Sequence, residues 1–233
     1  MGPKSIVFVR HAQSIGNTMT QDERAEHPTP NHAYPLTQTG ERQAEITGKY
    51  IRSRLIEGCP DLCFQSTFLR SQMTMDAILR EMGEMSLSLP VLTDSRLDEK
   101  WDGIFHELSK RDIRESYHDQ VKMKKRSGYY HYRAPGGENC PDVELRIRSF
   151  LSDPMIAGKR ILIVGHGRWG LLLHKILYGL SVEEFLKLKN DGLENGGSEN
   201  CSVIEYPENR ALFPFKCTVP WKGQLPEQET ELA

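Results

Sequence analysis

Two apolar runs stand out in the hydrophobic pattern of the chain. SIVFV (5–9) and RILIV (160–164) are rich in β-branched residues, and polar positions do not alternate with their apolar ones. Such runs are typical of strands that are buried on both faces, as in a parallel sheet covered by helices. We therefore predict a strand at each of them.

Between these runs, apolar residues recur at helical spacing in three segments. A helix start signal precedes each segment: Thr37 for the first, Ser66 or Thr67 for the second, and APGGENCPD (134–142) for the third. The apolar positions are Ala44, Gly48, Ile51 and Leu55, then Met73, Ala77, Ile78 and Met82, then Val143, Ile147, Phe150 and Leu151.

The order of these elements predicts an α/β fold, with three layers (α/β/α) and a mainly parallel central sheet. The segment from about 101 to 135 is polar and rich in Lys, Arg, Tyr and His, so we predict a helical cap inserted over the sheet edge. Residues 207–233 contain several prolines and an acidic end, which predicts a loosely packed C-terminal tail. We thus expect a single domain over residues 1–206.

Composition limits the kinds of partner. A chain of 233 residues with 38% hydrophobic content can fill one core, and its net charge of -2 disfavours nucleic acid or a membrane as partner. Any site for an anion must therefore be local. The five cysteines lack metal-ligand spacing, and no stretch suits a signal peptide or a membrane span, so we expect reduced thiols and a cytoplasmic protein.

A histidine follows each of the two predicted strands. His11 comes after Arg10, and His166 comes after Gly165. Because ligands bind beyond the carboxyl ends of strands in open α/β sheets, both rings are expected at the same sheet edge. A neutral imidazole is a nitrogen nucleophile, and guanidinium groups with a helix N-terminus can hold phosphoryl oxygens without a metal. The pair predicts phosphoryl-transfer chemistry.

Six segments, in order over residues 5–206, resemble motifs of the histidine phosphatase superfamily (phosphoglycerate-mutase-like). VFVRHAQSIGN is similar to the Arg-His-Gly signature of that family, and ILIVGHGRWG is similar to its second His-Gly strand end. The segments are 7–17 and 161–170, with PLTQTGERQA (35–44), QSTFLRSQMT (65–74), RLDEKWDGIF (96–105) and PGGENCPDVELRI (135–147) between them.

The resemblance implies a metal-independent phosphomonoester hydrolase with no cofactor. Its substrate is expected to be a phosphorylated small molecule or a phosphoprotein. Carried over residue by residue, it makes His11 the nucleophile that becomes a phosphohistidine, and Glu99 the proton donor to the leaving alcohol and later the base for water. The remaining candidates are Arg10, Arg70 and His166 around the phosphoryl oxygens, and Asn17, Gly167 and Arg168 as further contacts with the substrate.

The chain departs from the family pattern at several positions. Ala12 stands where the signature has glycine, which would strain the turn if that residue needs a positive φ. Asn139 replaces a serine, so a contact made by that hydroxyl is in doubt. Arg168 and Trp169 stand where small or apolar residues are more usual, and Arg168 either reaches an anionic substrate or lies on a solvated face.

Three other functions are compatible with parts of the sequence. A phosphoglycerate mutase is disfavoured because family mutases carry a longer middle insertion and a different loop from TMTQDERAEHPTPNHAYP (18–35). A non-catalytic phosphate-binding module would commonly lose His11 or Glu99. GHGRWG (165–170) spells the dinucleotide pattern GxGxxG, but SVEEFLKLKND (181–191) predicts a helix instead of the second strand, so these glycines are interpreted as turn residues. Loop or surface positions are predicted for His27, His32, His106, His118 and His131.

Overall fold

A mixed sheet lies at the centre of the molecule. The computed structural model describes residues 2–54, 58–106, 108–191, 199–208, 216–222 and 224. The strands within these residues are β1 (Ser5–Arg10), β2 (Leu62–Gln65), β3 (Val91–Thr93), β4 (Arg160–Gly165), β5 (Val203–Tyr206) and β6 (Lys216–Thr218). They form one sheet in the order β3-β2-β4-β1-β5-β6.

Strand pairing brings the two predicted strands together at the centre of this sheet. β1 pairs with β4 in parallel, with Arg10 opposite Gly165 in the register. β2 is parallel to both β3 and β4, whereas β5 is antiparallel to β1 and β6. The prediction of a mainly parallel sheet is confirmed. Because Arg10 and Gly165 are level, the next residues, His11 and His166, leave the same edge side by side.

Helices cover both faces of the sheet, as predicted for a three-layer fold. The helices in the described residues are α1 (Ile15–Thr18), α2 (Gln21–Glu26), α3 (Gln38–Arg54), α4 (Leu69–Met82), α5 (Lys110–Ser116), α6 (His118–His131), α7 (Cys140–Leu151), α8 (Gly167–Tyr178) and α9 (Val182–Asp191). Core residues of α3 and α4 pack on one face, and those of α7, α8 and α9 pack on the other. In β1, Phe8 faces α8 while Val9 faces α4, because side chains alternate along a strand.

The helix start signals differ in outcome. Thr37 precedes α3, and its Oγ1 accepts the N–H of Gly40 at 3.0 Å, so this signal is confirmed. The second signal is wrong, since α4 begins at Leu69 and the hydroxyls of Ser66 and Thr67 bind Asp98 instead. Asn139 forms a capping box with Asp142 at the start of α7, which gives this departure from the family pattern a structural role. Leu55, predicted on α3, lies outside the described residues.

The predicted cap contains the helices α5 and α6, which meet at Tyr117. Helix α6 is kinked at Gly128, where φ is 72°. At the other end of the chain, β6 lies inside the segment predicted as a tail and pairs with β5. Trp221, just after it, donates from Nε1 to the carbonyl of Asn200 at 2.6 Å. The segment beyond residue 207 therefore contributes a strand to the sheet.

The GxGxxG glycines do not form a turn. Gly165 ends β4, Gly167 begins α8, and Gly170 lies inside α8. A Cβ on Gly170 would come within 2.4 Å of the Phe8 ring, so glycine here allows α8 to approach β1 closely. The predicted helix that disfavours a dinucleotide site is present as α9.

All five cysteines are free thiols, as expected. Among the helices of the described part of the chain, none has the length and apolar character needed to cross a bilayer. The same residues contain no group of three or more His, Cys, Asp or Glu side chains placed to hold a metal ion.

Candidate active site

The histidine after β1 is buried, and its tautomer is fixed by the backbone. His11 is 4% exposed, and its Nδ1 lies 2.7 Å from the carbonyl oxygen of Ala12. Because a carbonyl only accepts, Nδ1 carries the proton and Nε2 keeps its lone pair. Ala12 donates its N–H to Thr74 Oγ1 at 3.0 Å, and it is not among the described residues with positive φ. Alanine therefore fits this turn without backbone strain.

Arg70, in the first turn of α4, holds both strand-end histidines. Its Nε donates to His11 Nε2 at 3.1 Å, and its Nη2 lies 3.5 Å from His166 Nδ1. Its Nη1 donates to the backbone oxygen and to Oδ1 of Asn31, at 2.8 and 3.1 Å. The guanidinium also stacks on Phe68, with 4.6 Å between Cζ and the ring centroid. These contacts hold Arg70 between the two histidines and Asn31 at the cavity wall.

A hydrogen-bond chain runs behind Arg70. Ser66 donates to Asp98 Oδ1 at 2.7 Å, because the carboxylate only accepts. Ser66 Oγ in turn accepts from His166 Nε2 at 2.8 Å, which leaves His166 Nδ1 unprotonated toward Arg70. The two histidine rings are 5.2 Å apart. The predicted meeting of His11 and His166 at one sheet edge is what the structure shows.

Arg10 brings an unused donor to the same edge. Its Nε is buried and has no hydrogen-bond partner among the described residues. A Cβ on Gly167 would stand 3.4 Å from that Nε, so the glycine leaves room beside the guanidinium. Such a donor is available to a bound anion, since a buried N–H without a partner is costly.

Burial and nearby cations keep the histidines neutral. Burial, followed by the charges of Arg70 and Arg10, holds the pKa of His11 well below its usual range. Burial and Arg70 do the same for the pKa of His166. Burial also lowers the pKa of Arg70 to about 10, so this guanidinium stays charged at neutral pH. The result is a neutral imidazole at His11 beside two arginines.

Glu99 lies in an ion cluster with Lys100, Asp102 and Arg168. Its Oε1 accepts the N–H of Lys100 at 2.8 Å and lies 3.5 Å from Arg168 Nε. Arg168 also donates to both oxygens of Asp102, at 3.0 and 2.8 Å. Arg168 therefore does not lie on a free solvated face, because two carboxylates hold its guanidinium.

Asn17, in α1, is also held by its neighbours. Its Oδ1 accepts from the backbone N–H and the hydroxyl of Ser14, at 3.0 and 3.1 Å. Asn200 donates to the same oxygen at 3.3 Å and to the backbone oxygen of His11 at 2.8 Å. These bonds leave the amide nitrogen of Asn17 as the group that can donate to a ligand.

A cavity of about 760 Å³ opens at this edge and is lined by most of the predicted site residues. His11, Asn17, Glu99 and Arg168 are on its walls, whereas His166 is fully buried behind Arg70. Among the described residues that line the cavity, the carboxylates are Glu99 and Asp102 and cations are more numerous, so this lining is cationic and fits the expected local anion site. The lining cations are Arg10, Arg24, Arg70, Lys100, Lys110, Arg114, Lys124 and Arg168.

Sequence reasoning missed several members of this site. Asn31, Ser66, Asp98 and Asp102 each make a contact described above, but no motif pattern assigned them a role. His106 was predicted at the surface, yet it lines the cavity, bonds to Asn31 and stacks on Trp101 at 4.2 Å between ring centroids. His27 lines the cavity too, whereas His118 and His131 are exposed as predicted.

Solved structures with this fold include two phosphatases. A putative alpha-ribazole-5'-P phosphatase from Escherichia coli has a TM-score of 0.63 and 20% identity, over 87% of this chain and 90% of that one. A mycobacterial glucosyl-3-phosphoglycerate phosphatase in complex with VO3 has a TM-score of 0.61 and 22% identity, over the same shares. At these identities, the likeness shows the fold.

Sequence relatives show the family. A phosphoglycerate mutase of Schizosaccharomyces pombe is 28% identical over 190 residues, which are 79% of this chain and 84% of that protein. The phosphoglycerate mutase-like protein AT74H of Arabidopsis thaliana is 30% identical over 243 residues, covering 91% and 82% of the two chains. The model of the histidine phosphatase superfamily (branch 1) matches residues 6–210. The chain belongs to this superfamily.

Proposed function

We propose that the protein is a metal-independent phosphomonoester hydrolase that acts through a phosphohistidine at His11. The observation that carries the proposal is the neutral, unprotonated Nε2 of His11, which accepts from Arg70 Nε at the wall of a cationic cavity. The cavity volume of about 760 Å³ suits a phosphorylated small molecule. Superfamily membership supports phosphoryl chemistry of this kind.

In the first step, His11 Nε2 attacks phosphorus as the bond between phosphorus and the ester oxygen breaks. The N–H of Arg70 Nε, now 3.1 Å from His11 Nε2, turns from this nitrogen to a phosphoryl oxygen. Arg10 supplies its unpartnered Nε–H to the same group, and His166 keeps Arg70 in place from behind. Glu99 gives its proton to the leaving oxygen, so the alcohol departs neutral.

In the second step, water attacks phosphorus and the bond between phosphorus and Nε2 breaks. Glu99, left as a carboxylate by the first step, takes a proton from the attacking water. The products are the alcohol and inorganic phosphate, and both His11 and Glu99 return to their starting states. The cations of the cavity stabilise the charge on the phosphoryl oxygens throughout.

The test is hydrolysis of p-nitrophenyl phosphate by the purified protein in excess EDTA. We expect turnover to persist, and an alkaline quench during turnover to leave phosphate on the peptide that contains His11. Loss of turnover in EDTA, or phosphate on a different residue, would contradict the proposal. No turnover of any phosphate ester would favour a non-catalytic phosphate-binding module.

A phosphoglycerate mutase is the second candidate, because relatives that are 28% and 29% identical to this chain carry that name. The two functions differ in the acceptor of the phosphoryl group. A mutase transfers it to a phosphoglycerate, whereas a hydrolase transfers it to water. Isomerisation of phosphoglycerate that outpaces phosphate release would favour the mutase.

The lowered pKa of His11 predicts activity in mildly acidic solution. A pKa below the ordinary value of 6.5 means that the ring stays neutral as the pH falls through that value. We expect kcat/KM for p-nitrophenyl phosphate, corrected for substrate ionisation, to hold down to about pH 5.5. An acidic limb with its midpoint near the ordinary histidine value would contradict this expectation.

A further inference from the structure

The ion cluster at the cavity wall connects Glu99 and its neighbours in the chain to the start of α8. Arg168 is the second residue of α8, and its guanidinium bridges two carboxylates. Its Nε lies 3.5 Å from Glu99 Oε1, while Nη1 and Nη2 donate to the two oxygens of Asp102. Lys100 Nζ binds Asp102 Oδ1 at 2.7 Å. The two negative and two positive charges balance.

The contacts distinguish the two oxygens of the Glu99 carboxyl. Oε1 accepts from the Lys100 backbone N–H and lies 3.5 Å from Arg168 Nε in an ion pair. An oxygen that accepts from a backbone N–H and lies beside a guanidinium is disfavoured as the position of a proton. When Glu99 is protonated, the proton therefore belongs on Oε2. An acid group transfers its proton only when the correct oxygen points at the leaving group.

We propose that Arg168 is a positioning residue that fixes Oε2 of Glu99 as the proton-donating oxygen, with Asp102 holding the Arg168 guanidinium in the required orientation. This inference rests on the proposed function and deepens it. In this role Arg168 acts on Glu99 and not on the substrate, and Asp102 orients the guanidinium through Nη1 and Nη2. A lysine, with a single point charge, could not bridge the two carboxylates in the same way.

Both charges that set this geometry are stable to pH. Burial alone would lower the pKa of Arg168, but Glu99 and Asp102 raise it. Burial alone would raise the pKa of Asp102, but Arg168 and Lys100 hold it well below its usual range. The other groups whose charges act on this cluster are Arg10 from β1, Arg70 from α4 and Tyr129 from α6.

Leaving-group dependence separates positioning from binding or folding. Glycerol phosphate needs a proton on its leaving oxygen, whereas p-nitrophenolate departs without one. We expect Arg168→Met to lower kcat/KM for glycerol phosphate by about a hundredfold and for p-nitrophenyl phosphate by no more than about threefold. Arg168→Lys should recover part of the loss. Arg133→Met, which breaks an ion pair with Asp142 on the outside of the cap, is the control and should leave both values unchanged.

Equal losses on both substrates, or no loss on either, would overturn the role of Arg168. Those results would leave the proposed function standing, provided that the wild-type protein still forms a phosphohistidine at His11. If the wild-type protein fails that assay, the proposed function fails first. Thermal unfolding of each variant shows whether a loss reflects folding.

A second variant tests the same role through pH. Asp102→Asn removes a negative charge beside Arg168 and leaves the positive charge of Arg168 next to Glu99. The basic limb of kcat/KM for glycerol phosphate should then move to lower pH. In Arg168→Met the cation itself is gone, so the same limb should move to higher pH. Shifts in one direction for both variants, or no shift, would overturn the proposal.

Discussion

Replacing His11 with alanine is expected to lower kcat/KM for p-nitrophenyl phosphate by about 10⁴-fold or more. Phosphate should no longer be found on the peptide that contains residue 11. The neighbouring His166 is not placed to take over, because it is fully buried and both of its ring nitrogens contact other residues. Steady-state kinetics combined with an alkaline quench measures both effects.

The matched control for this variant is His131→Ala. His131 is exposed and does not line the cavity, so the control should keep wild-type kinetics. The cationic cavity remains in His11→Ala, and we therefore expect inorganic phosphate to raise the Tm of the variant as it does that of the wild-type protein. A loss of less than about tenfold would mean that the nucleophile is another group.

The second large effect is expected for Glu99→Gln. The glutamine Oε1 can still accept from Lys100 and Arg168, so the local geometry is kept while the transferable proton is lost. For glycerol phosphate, kcat/KM should fall by about 10²- to 10⁴-fold. For p-nitrophenyl phosphate it should change little, because the leaving group needs no proton. Stopped-flow measurement with both substrates checks the difference.

The second step gives an independent sign of the same role. Without a base to activate water, the phosphohistidine of Glu99→Gln should accumulate and give a burst of p-nitrophenol that matches the enzyme concentration. Glu115→Gln is the control, since Glu115 is exposed, pairs with Arg111 on the surface of α5 and does not line the cavity. If Glu99→Gln kept the wild-type rate with glycerol phosphate, the assignment of the acid would be wrong.

The core of the sheet and the centre of the site could be predicted because each depends on a local pattern. The apolar runs predict β1 and β4, and the rule for strand ends then brings His11 and His166 to one edge. The helices α3, α4 and α7 follow from their apolar spacing. In each case, neighbouring residues carry the information.

The remaining elements depend on contacts between distant parts of the chain. β3 is short and half exposed, so its sequence carries no burial pattern. Asn31 begins a short 3₁₀ helix between α2 and α3, and only the fold brings it to Arg70. The pairing of Arg168 with Asp102 joins the start of α8 to the segment that precedes α5. An isolated arginine in the sequence does not indicate which carboxylate it will pair with. For the same reason, the sequence does not predict the hydrogen bonds through which Ser66 connects His166 to Asp98.

The place of β1 in the sheet affects how the protein is made. β1 is synthesised before the other strands of the sheet, yet both of its neighbours, β4 and β5, come after residue 159. At usual translation speeds this strand stays without a partner for roughly ten to thirty seconds. During that time its apolar side chains are open to chaperones or to aggregation, and a nascent chain that stops before residue 160 lacks His166 and Arg168 of the candidate site.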